Sequence, residues 1–219
     1  MRFLKWLGRL LFPPKCLLCG KVLGRDELDL CKTCRIHGPE HPDSKIKHPY
    51  LDSWLAMWYY EGDVRHSLLR YKFYGKRGFA KGYGRLLAMR LLREREGQYD
   101  LITWVPISRL RKLKRGYDQV ELLARAIGRE LGAEPVRCLR KCRHNPPQSG
   151  IKGKAERRAN VLGVYEPVEP ENFRGRRVLL LDDILTTGAT MGECARVLLT
   201  AGATQIHAAA IAAARNDKK

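Results

Sequence analysis

Asp182 and Asp183 are adjacent carboxylates at the end of an aliphatic run, Val178-Leu179-Leu180-Leu181. Ile184 and Leu185 follow, and then a stretch of small and hydroxyl residues, Thr186-Thr187-Gly188-Ala189-Thr190. This pattern suits recognition of a sugar phosphate. Carboxylates accept hydrogen bonds from the vicinal hydroxyls of a ribose. Backbone N–H groups and hydroxyls at a helix N-terminus can wrap a phosphate. Gly188 supplies the close backbone approach or positive φ that such a loop needs. The same residues would also fit an acid pair at a strand end followed by an ordinary turn.

A second constellation reads Cys16-x-x-Cys19 and Cys31-x-x-Cys34, with 11 residues between the pairs. Each pair can form a knuckle that aims two thiolates at one ion, and two knuckles complete a tetrahedral shell. A structural Zn2+ is the expected occupant, with a redox dithiol or a disulfide pair as alternatives. So small a segment has little core, so a metal would supply much of its folding energy. Metal loss is expected to loosen residues 1–40 and to spare the main sheet. Cys138, Cys142 and Cys194 have no partner pattern and read as ordinary thiols.

The third feature is charge. The chain of 219 residues carries a formal net charge of +19, which favours a polyanionic partner: nucleic acid, a phosphorylated ligand or anionic lipid. The cations are clustered. Residues 137–158 hold eight Lys or Arg and one acid, Glu156. Such a loop could close over a phosphate site or track a nucleic-acid backbone. Residues 70–85 interleave cations with Tyr71, Phe73, Tyr74, Phe79 and Tyr83. Cations for phosphates and rings for bases are how single strands are held without sequence preference. The bland alternative is a core aromatic set with solvated neighbours. Candidate nucleic-acid contacts are Arg70, Tyr71, Lys72, Tyr74, Lys76, Arg77, Lys152, Lys154 and Arg157.

Positioning these groups requires strands alternating with helices. Strands are expected at Trp54–Tyr60, Asp100–Pro106, Val136–Leu139, Val178–Leu181 and Gln205–Ala213. Helices are expected at Asp63–Tyr71, Phe79–Glu94, Gln119–Leu131 and Met191–Thr200. Such alternation implies a parallel, doubly wound α/β sheet, which binds ligands at the carboxyl edge of its strands. Residues 140–160 lack periodicity and read as a long loop. Residues 35–49 read as a linker, dividing residues 1–49 from a main domain at 50–219. Met1 to Phe12 would form a basic amphipathic helix, able to rest on a membrane surface or to pack on its own protein. Its apolar run is broken by Lys5 and Arg9, and no small-residue cleavage site follows, so it is not read as a signal peptide. With no stretch of 18 apolar residues, no transmembrane segment is expected. A cytoplasmic location with reduced thiols is the consistent expectation.

Val178 to Thr190 resembles, over all 13 positions, the phosphoribosyl-pyrophosphate (PRPP) signature of type I phosphoribosyltransferases. Arg115-Gly116-Tyr117-Asp118-Gln119 is similar to the Arg-Gly-Phe-Asn-Gln signature of the ComF family, competence-associated phosphoribosyltransferase-like proteins. Tyr117 and Asp118 depart from it, and Asp118 puts a charge where the family has an amide. Leu69-Arg70-Tyr71-Lys72, Asn145-Pro146-Pro147-Gln148 and Glu156-Arg157-Arg158-Ala159-Asn160-Val161 also resemble ComF segments, and the four cysteines fit.

The resemblance implies a type I phosphoribosyltransferase fold with a small N-terminal four-cysteine zinc-ribbon module. It implies PRPP held with Mg2+, Asp182 and Asp183 on the ribose hydroxyls and Thr186, Thr187, Gly188, Ala189 and Thr190 on the 5′-phosphate. Ser108 and Arg109 would hold pyrophosphate, with Arg115 and the 140–160 loop closing over it; Asp182, Asp183 and Arg115 would be the catalytic set if turnover occurs. It further implies single-stranded DNA and competence-machinery proteins as partners, in DNA uptake or processing during natural transformation. A metabolic transferase and a PRPP-sensing regulator without turnover are the alternatives.

Overall fold

The computed structural model describes residues 13–42, 48–143, 145 and 154–215, with the side chains of 154, 155 and 158 excluded. The expected Met1–Phe12 helix, Lys152 and the Lys154 side chain therefore lie outside the described residues.

Four strands form the central sheet: β1 (Ser53–Tyr59), β2 (Leu101–Trp104), β5 (Arg177–Leu185) and β6 (Gln205–Ala213), all parallel, in the order β1-β6-β5-β2. β3 (Leu139–Lys141) and β4 (Tyr165–Pro167) make a separate antiparallel pair. Of the helices, α1 (Lys32–His37) lies in the cysteine module. Next come α2 (Gly62–Phe73), α3 (Phe79–Arg95), α4 (Arg109–Arg115), α5 (Gln119–Leu131), α6 (Lys154–Ala159) and α7 (Ala189–Thr200).

The order follows from two-sided burial. Successive strand residues face opposite sides, and both sides are covered. Leu179 and Leu181 of β5 pack with Leu68 and Tyr71 of α2, Tyr83 and Leu87 of α3, and Leu123 and Ile127 of α5. Val178 and Leu180 pack the other way, with Met191, Cys194 and Leu198 of α7 and with Phe173 and Tyr165. Helices on both faces of a parallel sheet are what the doubly wound expectation required.

Three segments depart from the expected elements. β5 runs to Leu185, so both acids lie within the strand. The stretch read as a long loop contains β3 and α6, and β4 lies just beyond it. Part of the stretch read as a linker is a sheet edge: Tyr59 donates its N–H to the Pro39 carbonyl at 2.7 Å, and His41 to that of Met57 at 3.0 Å. Nor does the cysteine module stand apart. Leu17, Leu18, Leu23 and Leu30 belong to the same core cluster as α2 and α3. Among the described residues, no helix is long and apolar enough to cross a membrane.

Candidate functional site

A cavity of about 700 Å3 opens where β2 and β5 end. Asp182, Asp183, Thr186 and Thr190 line it together with six cations: Lys72, Arg111, Lys114, Arg115, Lys141 and Arg157. Asp182 and Asp183 do not act as a chelating pair. Being consecutive in a strand, they project to opposite faces. Asp183 is buried on the α2 and α5 side, where Lys72 Nζ stands 2.8 Å from one carboxylate oxygen. Gln119 Nε2 donates to the other at 2.7 Å. Half-buried Asp182 takes the α7 side, where its charge acts on Lys141, Tyr165 and Cys194. One of its oxygens accepts from the Asp183 backbone N–H at 2.8 Å. Burial, with the neighbouring Asp183 charge, pushes its carboxyl well above the usual carboxylate range. The cavity thus presents both acids and a surplus of cations, the combination that a sugar carrying phosphates would match.

Lys141 is the most perturbed of these cations. Burial, helped by nearby Arg111, lowers its ammonium to about 8. Its Nζ stands 5.1 Å from the Tyr165 ring centroid. An anion in the cavity would favour the charged form. We therefore expect affinity for a phosphorylated ligand to fall as pH rises above about 8, and Lys141→Met to remove that decrement; a pH profile identical in the variant would deny Lys141 this role. The stability effect has the opposite sense. Since the folded pKa lies below the free value, the unfolded chain binds more protons between about 8 and 10.5, and stability rises with pH across that window.

The pyrophosphate candidates sit differently from expectation. Ser108 is buried as the N-cap of α4, accepting from the Arg111 backbone N–H at 3.3 Å. Arg109 is exposed on the first turn. Neither is among the cavity-lining residues, whereas Pro106, Ile107 and Arg111 are. Asp118 caps α5 through the N–H groups of Val120 and Glu121, at 2.9 and 3.1 Å, and accepts from Ile107 N at 3.2 Å. A carboxylate makes all three contacts unaided, so no amide is required at this position. Arg115 lines the cavity and hydrogen-bonds Gln119 Oε1, joining it to the Asp183 network. In the 186–190 loop, Gly188 takes φ +74° and Thr187 Oγ1 accepts from Ala189 N at 3.4 Å. Of these five residues only Thr186 and Thr190 line the cavity.

The four module cysteines converge. The Sγ atoms of Cys16, Cys19, Cys31 and Cys34 lie within 4.8 Å of one another, and all four thiols are free. Cys19 and Cys31 are 3.8 Å apart, and thiolates on a tetrahedral ion at about 2.3 Å would be separated by roughly 3.8 Å. Gly20, at φ +77°, closes the first knuckle. Burial opposes ionisation of Cys16, but backbone hydrogen bonds at Cys31, Cys19 and Leu18 outweigh it and bring its thiol to about 7. Burial and the neighbouring thiols push Cys34 up. Four thiols so close could hold a metal such as zinc.

A family model described as "Phosphoribosyl transferase domain" matches residues 113–219, which include the acid pair, the loop and α7. Competence protein F of Haemophilus influenzae is 27% identical over 74% of this chain and 72% of its own. Competence protein ComFC of Streptococcus pneumoniae is 28% identical over 88% of this chain and 96% of its own. Over most of its length the chain is similar to ComF-type competence proteins. The DNA utilization protein YhgH of Escherichia coli O157:H7 is 29% identical, covering 88% of this chain and 87% of that protein.

Three of the nucleic-acid candidates are committed elsewhere. Tyr71 is buried, its hydroxyl donating to the Gln119 carbonyl at 2.5 Å while its own carbonyl accepts from the Tyr117 hydroxyl, so its ring has no face for a base. Arg70 grips the first knuckle, donating to the carbonyls of Leu17 and Leu18 at 3.1 and 2.5 Å. Lys72 belongs to the cavity through Asp183. Arg157 also lines the cavity. Tyr74, Lys76 and Arg77 are exposed. Tyr83 is core. The residue reading named neither Gln119 nor Lys141 for the site. Gln119 could have been found as the first residue after a helix cap, facing the sheet edge. Lys141 was one undistinguished cation among eight.

Proposed function

We propose that this ComF-like chain binds PRPP or a related phosphoribosyl ligand in the cavity at the ends of β2 and β5, binds single-stranded DNA, and works in DNA uptake or processing during natural transformation. The observation that carries the ligand reading is the cavity itself. Asp182, Asp183, Thr186 and Thr190 share it with six cations, at the edge where open α/β sheets take ligands. The names of the relatives, competence and DNA utilization proteins, support the biological role.

In this reading Asp182 meets the ribose, since Asp183 is already held by Lys72 and Gln119. Thr186 and Thr190 face the 5′-phosphate, and Arg111, Arg115, Lys141 and Arg157 face the pyrophosphate. Mg2+ would bridge and neutralise pyrophosphate oxygens. The protein's own contribution is positioning and electrostatics, so the proposal needs no dedicated base. Zn2+ in the cysteine module has a purely structural part.

Asp182→Asn is expected to weaken PRPP binding about 10- to 100-fold, the worth of a hydrogen bond to a charged group. Calorimetric titration with PRPP and Mg2+ measures it. Unchanged affinity in the folded Asp182→Asn, Asp183→Asn double variant would remove the site assignment. Release of pyrophosphate with a free base or amine would mark the chain as a transferase.

A further inference from the structure

Aromatic rings and guanidinium groups gather beside the cavity, and Phe73, Arg115 and Tyr117 among them line it. Phe73 and Tyr74, at the end of α2, are 63% and 72% exposed. The Arg115 guanidinium stands 5.0 Å from the Phe73 ring centroid, and that of Arg77 stands 4.8 Å from the Tyr117 ring centroid. Arg77 also donates to the Gly116 carbonyl at 3.2 Å. A Cβ on Gly116, where φ is +79°, would lie 2.8 Å from that guanidinium, so the two segments are closed tightly on each other. Phe73, Lys114, Arg115 and Tyr117 line the cavity as well. The group is therefore continuous with the space around Asp182 and Asp183. Neither contributing stretch, residues 70–81 or 107–117, contains an acid.

Exposed rings interleaved with cations and free of acids suit a ligand that is both polyanionic and aromatic. A strand of nucleic acid is both. We propose that Phe73 and Tyr74, with Arg77 and Arg115, form a base-stacking site for single-stranded nucleic acid beside the cavity, so that a bound strand and a phosphoribosyl ligand exclude one another. The exclusion rests on the ligand reading above; the stacking site does not.

The test uses the full chain, a fluorescent oligothymidine and an abasic strand of equal length, read by anisotropy. Phe73→Ala with Tyr74→Ala should weaken oligothymidine binding about 5- to 100-fold, the range for loss of base stacking. The abasic strand should bind the unaltered protein correspondingly weakly. Saturating PRPP with Mg2+ should release the strand. Equal affinity for the two strands overturns the stacking site without any variant, as does an unchanged affinity in the folded double variant or tighter capture of polyglutamate, which would point to an acidic protein. A ternary complex of strand and PRPP overturns the exclusion. If calorimetry detects no PRPP binding, the ligand reading falls and the exclusion with it, while the two strands still decide the stacking site.

Discussion

Lys72→Met should destabilise the protein by about 3–5 kcal/mol, the usual loss when one member of a buried ion pair is removed. Asp183 retains only 4% of its side-chain exposure and Lys72 retains 19%. Without the ammonium, the carboxylate keeps the Gln119 amide, a neutral donor at 2.7 Å, and loses the one cation it touches. Water from the cavity can replace the ammonium only in part, because the Asp183 carboxylate, though it borders that cavity, is almost wholly buried. Adding Asp183→Asn to Lys72→Met should recover much of the loss, since an uncharged amide no longer needs the partner. Urea denaturation of the four proteins in this cycle measures the coupling. A loss below about 1 kcal/mol for the single variant would mean that solvent screens the pair as it screens surface bridges.

The second large effect concerns the cysteine module. Cys31→Ser should loosen α2 as well as residues 13–41. Cys31 is buried and its sulfur accepts from the Cys34 backbone N–H at 3.5 Å. The opposing knuckle of the same cluster, Cys16 to Cys19, offers the Leu17 and Leu18 carbonyls to Arg70, and Ser67 also donates to Leu17. Structural zinc is worth about 10–16 kcal/mol to isolated finger peptides. Here the loss would be shared with the core that Leu17, Leu18, Leu23 and Leu30 join. Amide exchange along Gly62–Phe73 should accelerate by about 100-fold or more, both in Cys31→Ser and after chelation. Unchanged exchange in α2 with the metal removed would reduce the module to an appendage and restore the expectation that the main sheet is spared.

The fold was legible where burial is two-sided. Val178–Leu181 and Gln205–Ala213 are apolar runs with no helical period, and Gln119–Leu131 has a regular stripe between a cap and a glycine. Sequence patterning failed where order depends on distant partners. β3 and β4 are three residues each and exist through each other. The edge at residues 39–41 exists through β1. At the site, the acids and the hydroxyl loop could be read as a motif, but their division of labour could not. Strand alternation sends Asp183 to Lys72 and Gln119 and Asp182 to Lys141, and only the packing of α2, α5 and β3 makes those partners available. The aromatic-cationic segment was ambiguous for the same reason. Tyr71, Phe73 and Tyr74 are near neighbours in sequence, yet helix rotation turns Phe73 away from buried Tyr71, and the helix ends before Tyr74, which is exposed.

Arg70, Tyr71 and Lys72 bind three separate parts of the molecule: the cysteine knuckle, the start of α5 and the acid of β5. These attachments have an order in time. The knuckle carbonyls leave the ribosome before α2 does, whereas Asp183 follows Lys72 by more than a hundred residues. At about 5–20 residues per second, that is a wait of roughly 5–20 s. Until the start of α5 follows, the end of α2 can be anchored only on its N-terminal side, and for the whole interval its lysine lacks Asp183. The ligand cavity is therefore among the last features a nascent chain can close, while the cysteine module is among the first.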